Sequence, residues 1–327
     1  MDFFSILIVN YKGWDSLKDC LNSLKEFNSK RYILEVIIVD NCSNDDKIEN
    51  FKILFPNYKF IINSGNNGFA NGCNLAAKNA TSQNFLFLNP DTKVTTKDLE
   101  IYFDYFLKDK HAVLSCLQID ENKTCYKQHN LLPKFTTFFG LSRAIYRKIN
   151  KSKISQTFNE NETYFYPEWV TGAVVLINKN WFEKINGWNE DYWMYMEDVD
   201  LCKRIIDKGG KIAVLKKATL FHKHGGASRI NIVTKALTKT EVVISKHVYI
   251  QNNFSAFLAF LLHLRLMLGI VLEKYLLAFL SIPLFFIPKL KVNRNIAINY
   301  SKYLFSVLKN KTFISPRARN FKKQKQN

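Results

Sequence analysis

The chain has almost no acidic residues in its last third. Residues 211–327 contain 21 lysines and arginines but only two acids, Glu241 and Glu273. The first 210 residues carry 26 basic and 26 acidic residues, so the whole net charge of +19 belongs to the C-terminal part. Such an asymmetry indicates a polyanionic partner, either nucleic acid or an anionic membrane surface.

Paired cysteines are also missing. The six cysteines are scattered along the chain, and no pair has the spacing of a zinc site. This argues against a disulfide scaffold and is typical of a reducing compartment. The N-terminus has no basic region ahead of an apolar run, so we expect no signal peptide.

No uninterrupted apolar run reaches the roughly 20 residues that a membrane-spanning helix needs. Residues 254–288 are strongly apolar, but the longest stretch without an ionisable side chain other than tyrosine is 275–288. Lys289, Lys291 and Arg294 follow it directly. This pattern predicts interfacial or shallowly inserted helices against anionic lipid, and the alternative is an ordinary buried helical hairpin.

Apolar and amphipathic stretches alternate through the first two hundred residues. Helices are predicted between strands at 3–11, 32–40, 58–62, 84–91 and 112–119. The alternation predicts an α/β fold with a mostly parallel sheet. We expect this domain to cover residues 1–230, with a variable insertion at 120–166. A helical, basic and apolar region is expected at 231–312, and a disordered basic tail at 313–327.

Polar residues follow the predicted strands at the sheet edge where ligands bind in such folds. The first strand ends in Asn10 and Tyr11, the second in Asp40 and the fourth in Asp91. The first turn has no glycine-rich dinucleotide motif, and the chain has no phosphate-binding Gly-Lys-Ser/Thr loop. A bound diphosphate would therefore need another source of positive charge, and a divalent cation on Asp91 would supply it.

Six segments together resemble the family-2 inverting glycosyltransferases, most of all the bacterial rhamnosyltransferase-like branch. They occur in the order and approximate spacing of that family across residues 3–228. The segments are "SILIVNYKGWDSLKDCLNSL", "VIIVDNCSND", "NNGFANGCN", "FLFLNPDT", "VTGAVVLI" and "GWNEDYWMYMEDVDLCKRI". The resemblance implies a GT-A fold, a UDP- or dTDP-linked sugar donor and a Mg²⁺ or Mn²⁺ ion.

The resemblance also implies a metal site. The family motif is often Asp-X-Asp; here Asn89 takes the first acidic position, which leaves Asp91 as the carboxylate. The proline between them stiffens the turn. One carboxylate needs a further protein ligand, and we predict His222, with His224 as the alternative. An imidazole ligand favours Mn²⁺ somewhat over Mg²⁺.

Donor contacts follow from the same resemblance. It implies that Asp40 recognises the nucleobase or ribose, and that residues 66–68 form a loop across the donor. The alternatives are a turn-stabilising aspartate and a ligand-free loop that enters a helix. The predicted donor-binding residues are Asn10, Tyr11, Asp40, Asn66, Asn67, Gly68, Asn89 and Asp91.

Three carboxylates, Glu197, Asp198 and Asp200, crowd the first turn of a helix predicted within 193–210. The helix dipole alone would stabilise acids there, which is the alternative interpretation. An inverting transfer needs a base for the acceptor hydroxyl, and the resemblance assigns it to Asp198, with Glu197 as the runner-up. Asp200 is expected to support the helix. Residues that either contact the acceptor or pack in the core are Trp169, Thr171, Gly172, Trp188 and Trp193.

The predicted function is transfer of a sugar, with rhamnose as the first candidate, to a hydroxyl of a lipid-linked or surface-polysaccharide acceptor. The acceptor would be a glycolipid or a polyprenyl-linked oligosaccharide at the cytoplasmic face of the bacterial inner membrane. The alternative is a non-catalytic protein that binds polyanions or nucleic acid. The neutral first two thirds and the intact acidic motifs argue against a nucleic-acid partner. The lack of a Gln-X-X-Arg-Trp motif disfavours a processive polymerase.

Overall fold

A computed structural model of the protein describes residues 1–125, 129–151, 162–223 and 231–324. These residues fall into two compact units. Within the described ranges, the first unit comprises 1–189 and 197–223, and the second comprises 190–196 and 231–324. The parts of the predicted 120–166 insertion at 126–128 and 152–161 lie outside the described residues, as does His224.

A mixed sheet forms the centre of the first unit, with strand order β3-β2-β1-β4-β10-β6-β11-β5 and β8 beside β11. Strands β7 and β9 pair separately. The strands are β1 (Asp2–Asn10), β2 (Tyr32–Asp40), β3 (Lys59–Ile62), β4 (Asn84–Leu88), β5 (Thr92–Lys93), β6 (Val113–Ile119), β7 (His129–Asn130), β8 (Tyr164–Phe165), β9 (Trp169–Val170), β10 (Val174–Asn178) and β11 (Ile212–His222).

Helices surround this sheet in the first unit and make up the second. Those of the first unit are α1 (Trp14–Lys25), α2 (Lys47–Leu54), α3 (Phe69–Lys78), α4 (Thr96–Lys108), α5 (Gly140–Ile149), α6 (Lys179–Lys184) and α7 (Glu197–Asp207), with a 3₁₀ turn at Phe135–Phe138. Those of the second unit are α8 (Ile232–Asn253), α9 (Ala256–Ile270), α10 (Leu276–Leu280), α11 (Pro288–Asn310) and α12 (Arg319–Gln324).

The central strands are apolar throughout because both of their faces are buried. Along β1, Ile6 and Ile8 pack with residues of α1 and α4. Leu7 points to the other face and packs with residues of α3 and α7. Continuous apolar strands between helical layers are what a parallel sheet requires. The predicted α/β fold is therefore confirmed.

Parallel pairing aligns the carboxyl ends of the first strands. Asn10 lies opposite Asp40 in the β1–β2 register, and Asp40 lies opposite Ile62 in the β2–β3 register. Strand β10 runs antiparallel to both β4 and β6, which the sequence pattern did not predict. Its pairing with β4 places residues 172–173, just before the strand, beside the end of β4.

Three helices of the second unit meet at a buried polar cluster. Nδ1 of His247 on α8 lies 2.8 Å from Nδ1 of His263 on α9. Nε2 of His247 lies 2.7 Å from the hydroxyl of Tyr300 on α11. Both ring nitrogens of His247 thereby find partners, which burial requires.

One helical stretch among the described residues, Ala256–Leu280, is long and apolar enough to cross a membrane. Its outer face is open: Phe257, Leu272 and Phe279 are 71%, 72% and 69% exposed. A buried helical hairpin, the alternative considered from the sequence, does not match this exposure. Contiguous apolar surface of this kind marks an interaction site.

The C-terminal residues differ from the predicted disordered tail over 313–324. Ile314, Ala318 and Phe321 are buried and pack with Trp193 in a small core of the second unit. The guanidinium of Arg317 lies 5.0 Å from the centre of the Trp193 ring. Burial of these apolar groups compensates for the entropy lost on ordering the chain, despite its basic composition. Residues 325–327 lie outside the described part.

Candidate active site

Asp40 lies at the carboxyl edge of the sheet with its carboxylate held by its own surroundings. Nδ2 of Asn10 donates to it over 3.3 Å, and the backbone N–H of Ser43 donates over 2.8 Å. The Ser43 hydroxyl donates as well. The turn-stabilising role considered as an alternative is therefore present, and a carboxylate has further acceptor positions for a ligand.

The loop predicted to cross the donor is fixed at its junction with α3. Nδ2 of Asn41 donates to the carbonyl of Gly68 over 3.0 Å. Gly68 has φ of 100°, a conformation that favours glycine. Asn67 is buried and Asn66 is half-buried, whereas Tyr11 at the end of β1 is 44% exposed. The structure thus brings the predicted donor residues of β1, β2 and this loop to one edge.

The two predicted metal ligands lie together in the first unit. Strand β5 pairs antiparallel with β11, which places His222 opposite Thr92. The backbone N–H of Lys223 donates to the carbonyl of Asp91 over 2.8 Å. As a result Nε2 of His222 lies 3.1 Å from Oδ1 of Asp91, although 131 residues separate them in the chain.

Gln118 orients the imidazole of His222 and was missed by the sequence reasoning. Its Oε1 lies 2.8 Å from Nδ1 of His222, so an N–H at Nδ1 donates to it. In a neutral imidazole with its proton on Nδ1, the lone pair of Nε2 would face Asp91, as a metal-binding imidazole requires. The sequence did contain a signal for a role of Gln118, because it is a long polar side chain in the apolar strand "AVLSCLQI".

The donor set fits a divalent ion that completes its coordination with substrate. A carboxylate oxygen and an imidazole lone pair 3.1 Å apart need a proton or a cation between them. The described residues contain no cluster of three or more His, Cys, Asp or Glu side chains for a metal ion. Mg²⁺ and Mn²⁺ sites with few protein ligands are typical where phosphate oxygens of a nucleotide supply the others.

Glu197 and Asp198 begin α7, where Glu197 is buried and Asp198 half-buried. Burial, together with the neighbouring Asp198 charge, raises the pKa of Glu197 to about 8. Burial also raises the pKa of Asp198 to about 6, against hydrogen bonds from the backbone N–H groups of Val199 and Gly172. Both pKa values are raised, that of Glu197 further, so a proton shared by this pair favours Glu197 over Asp198.

Asp200 has a different task. Its carboxylate accepts from Nε of Arg204 over 2.7 Å, one turn further along α7. Arg204 also donates to the carbonyls of Ile185 and Gly187. Asp200 therefore anchors the helix to the preceding loop, in keeping with the supporting role expected from the sequence.

Residues 172–173 join the acidic pair to the Asp91 turn. The N–H of Gly172 donates to Oδ2 of Asp198 over 3.1 Å. The carbonyl of Ala173 accepts from the N–H of Asn89 over 2.9 Å. Because the two residues are adjacent, the candidate base and the candidate metal turn are fixed to one short backbone segment.

The aromatic residues near this segment have mainly packing roles. Trp188 is 1% exposed, and its ring packs edge-on against Phe69, 5.5 Å between ring centres. A Cβ at Gly172 would lie 3.2 Å from Phe69 and 3.4 Å from Trp188, so the backbone approaches both rings closely. Trp193 is buried in the second unit, while Trp169 and Thr171 are half-buried.

Comparison with known proteins identifies the class. The family model for glycosyl transferase family 2 matches residues 5–169, and a model for the N-terminal domain of galactosyltransferase matches 153–225. The first match covers half of the sequence, and the chain belongs to glycosyl transferase family 2.

Within this family the chain is similar to rhamnosyl- and hexosyltransferases. It is 29% identical to rhamnosyltransferase WbbL of Escherichia coli K12 over 221 residues, 63% of this chain and 78% of WbbL. It is 23% identical to the low-salt glycan biosynthesis hexosyltransferase Agl10 of Haloferax volcanii, over 62% of each chain. It is 35% identical over 54 residues to N-acetylglucosaminyl-diphospho-decaprenol L-rhamnosyltransferase of Mycobacterium tuberculosis, 16% of this chain and 18% of that protein.

Solved structures share the GT-A fold. GalNAc-T7 with UDP, GalNAc and Mn²⁺ matches with a TM-score of 0.53 at 15% identity, over 76% of this chain and 50% of that one. Staphylococcus aureus TarS 1-349 with UDP-GlcNAc matches with a TM-score of 0.51 at 16% identity, over 79% and 69% of the two chains. At these identities the likeness concerns the fold alone.

Proposed function

We propose that the protein is an inverting glycosyltransferase that moves a sugar from a nucleoside diphosphate to a hydroxyl of a lipid-linked acceptor. The observation that carries this proposal is the arrangement around residues 172–173. That segment bonds to the carboxylate of Asp198 on one side and to the turn of the Asp91–His222 pair on the other. Inverting transfer needs a base for the incoming hydroxyl and a place for the departing diphosphate.

In this mechanism Asp198 accepts the proton of the acceptor hydroxyl as that oxygen attacks the anomeric carbon of the donor. The bond from the anomeric carbon to the nucleoside diphosphate breaks in the same displacement. Glu197 keeps its proton and so avoids a second negative charge beside the base. No covalent link to the protein is formed in a single displacement.

Asp40, with Asn10, binds and orients the nucleoside, and residues 66–68 cover the donor. Asp91 and His222 would hold a Mn²⁺ or Mg²⁺ ion, with Gln118 fixing the imidazole. Such an ion supplies positive charge to the leaving diphosphate. Support for a divalent ion comes from the ligand chemistry of the pair and from the family, in which GT-A enzymes commonly use one.

The acceptor proposal rests on the second unit. Its exposed apolar helix face, with Lys289, Lys291 and Arg294 beyond it, matches the interface of an anionic membrane. The name of the mycobacterial relative points to a polyprenyl-linked acceptor. We therefore propose a glycolipid or polyprenyl-linked oligosaccharide, with the protein held at the cytoplasmic face of a bacterial inner membrane.

The rhamnosyltransferase relatives make deoxythymidine-diphosphate rhamnose the first donor to test, beside UDP-linked glucose, galactose and N-acetylglucosamine. The purified protein would be given each donor with and without Mn²⁺, and released nucleotide would be measured. One donor should be turned over, and chelation should reduce its turnover. No turnover of any donor, together with salt-dependent binding of nucleic acid, would instead support the non-catalytic polyanion-binding alternative.

A further inference from the structure

Helix α5 (Gly140–Ile149) has an apolar face that the described chain does not cover. None of its residues is buried. Leu141, Ile145 and Ile149 are 79%, 52% and 75% exposed. Because they are four residues apart, these side chains lie on one face of the helix. The helix follows the 3₁₀ turn Phe135–Phe138, and Phe139 between them is 37% exposed.

An exposed apolar face of this kind needs a partner. A helix of ten residues is marginal in water by itself, and an amphipathic helix normally turns its apolar side to a core. Here the apolar side faces outward in the first unit. No described residue of the first unit covers this face, so it is open to a partner.

The charge around α5 indicates the chemistry of that occupant. Arg143, Arg147, Lys148 and Lys151 lie in or directly after the helix, and residues 129–151 contain no acid at all. Within the described part of the chain none of these four cations forms an ion pair. Arg143 and Arg147 lie on the side of the helix opposite the apolar face, and Lys148 lies at the edge of that face. An apolar face accompanied by such cations is typical of a helix that lies in the interface of an anionic membrane.

We propose that α5 is a lipid-contacting helix of the catalytic unit, distinct from the apolar helices of the second unit. Leu141, Ile145 and Ile149 enter the boundary between headgroups and acyl chains, and the arginines and lysines meet lipid phosphates. A second copy of the helix is the less suitable occupant, because it would bring like charges together. The inference rests on the proposed function in one respect: a lipid-linked acceptor is presented at such a surface.

Two lipid contacts on one chain have a physical advantage. A single modest anchor gives reversible membrane binding, whereas stable attachment needs two signals. The second unit supplies one through residues such as Leu272 and Phe279. The first unit would supply the other through α5, so that the unit which carries Asp198 contacts the lipid itself.

The test measures vesicle binding of the full-length protein by flotation. Vesicles of phosphatidylcholine are compared with vesicles that also contain phosphatidylglycerol. The double variant Leu141→Glu/Ile145→Glu should bind the anionic vesicles at least about tenfold more weakly than the parent. The matched control is Ile33→Glu/Ile53→Glu, which places the same two charges on residues of the first unit that are 48% and 78% exposed. It should bind within about twofold of the parent, allowing for its added negative charge.

Three outcomes would overturn the proposal. The first is equal loss of vesicle binding in the α5 variant and its control. The second is unchanged binding of both. The third is a parent protein that dimerises in sedimentation without lipid and a variant that does not, which would assign the face to a second copy. Arg143→Gln/Arg147→Gln leaves the apolar face intact and should lose the preference for phosphatidylglycerol. The assay contains no sugar donor, so its failure is separate from failure of the proposed transfer reaction.

Discussion

The two units use charge and apolar surface in opposite ways. In the first unit, Glu197 is buried and Asp198 half-buried at the start of α7, and backbone N–H groups of Gly172 and Val199 donate to Asp198. In the second unit, large apolar side chains such as Leu272 and Phe279 are exposed, and cations accompany them. A carboxylate removed from water becomes a stronger base, whereas an exposed apolar surface can bind an apolar partner. The comparison matches the proposed roles, catalysis in the first unit and membrane binding in the second.

The largest expected effect tests the chemistry side of this comparison. Asp198→Asn removes the proposed base, and kcat should fall by about 10²–10⁴-fold because proton abstraction loses its acceptor. Nucleotide affinity, measured by calorimetry, should be unchanged. Asp207→Asn is the matched control, since this exposed aspartate lies on the same helix and pairs with Lys203. Near-normal turnover by Asp198→Asn would refute the assignment of the base.

The next effect tests the location side. Leu272→Glu with Phe279→Glu should weaken binding to anionic vesicles by about a hundredfold, because each side chain loses burial in lipid. Turnover of a soluble acceptor analogue should stay at the parental level. If instead turnover fell and vesicle binding persisted, the proposed assignment of membrane binding to the second unit would be wrong.

A third experiment concerns Gln118, which would affect the reaction only by orienting His222. Gln118→Leu should weaken Mn²⁺ binding by about 10–100-fold, as is usual when the partner of a metal-binding imidazole is lost. Calorimetric titration of the protein with Mn²⁺ alone measures this. Gln118→Glu can still accept from Nδ1 and should retain binding, and Gln83→Leu on the surface is the control. Equal Mn²⁺ affinity in all variants would show that Gln118 has no part in the site.

The pH dependence of kcat/KM tests the assignment of Asp198 as the base, with a smaller expected effect. Asp198 has a raised pKa of about 6 because it is buried. Below that pH it carries a proton and cannot act as the base, so kcat/KM should fall about tenfold per pH unit on the acid side. Glu197→Gln should keep this acid limb. An acid limb that survives in Asp207→Asn but is absent from Glu197→Gln would move the role of base to Glu197.

The smallest effect lies in the second unit. Burial raises the pKa of Glu241 to about 7, well above an ordinary glutamate, although Arg317 and Ser315 oppose the shift. The folded state therefore holds this proton more tightly than the unfolded chain does. Its contribution to stability is full below about pH 4.5 and is lost as the pH rises through about 7.

Glu241→Gln cannot ionise, so its free energy of unfolding should depend less on pH. Between pH 5 and 8 the parent should lose about 1–3 kcal/mol more of its free energy of unfolding than Glu241→Gln does. Denaturant unfolding across this range measures it, with Glu273→Gln as the exposed control. Parallel curves for Glu241→Gln and the parent would mean that Glu241 is ionised without penalty in the folded protein.

Much of the fold followed from sequence because its strands are buried on both faces. The five strands predicted from apolar runs appear within three residues of their expected ends. Strands β5 and β10 were not predicted from the sequence, because the direction in which a strand pairs depends on partners remote in the chain. The tail was missed for another reason. Ile314, Ala318 and Phe321 have helical spacing, but their basic surroundings resemble a disordered segment in composition.

Only those site residues that belong to sequence motifs could be predicted. His222 was predicted because Asp91 alone needs a further ligand, and the structure places the two side chains in contact. Gln118 and the Gly172 N–H were not expected in their roles. Each acts through a hydrogen bond that depends on strand register, and register is set by the whole sheet rather than by local residues.

The packing of Trp193 has a practical and evolutionary consequence. Residues 190–196 group with the C-terminal helices, yet the next peptide bond leads to Glu197. A gene fragment that stopped near residue 230 would encode this tryptophan without Ile314, Ala318 and Phe321 to cover it. The two units therefore cannot be cut apart or exchanged between homologues at a single crossover. Recombination among such genes would have to carry this short segment and the C-terminus together.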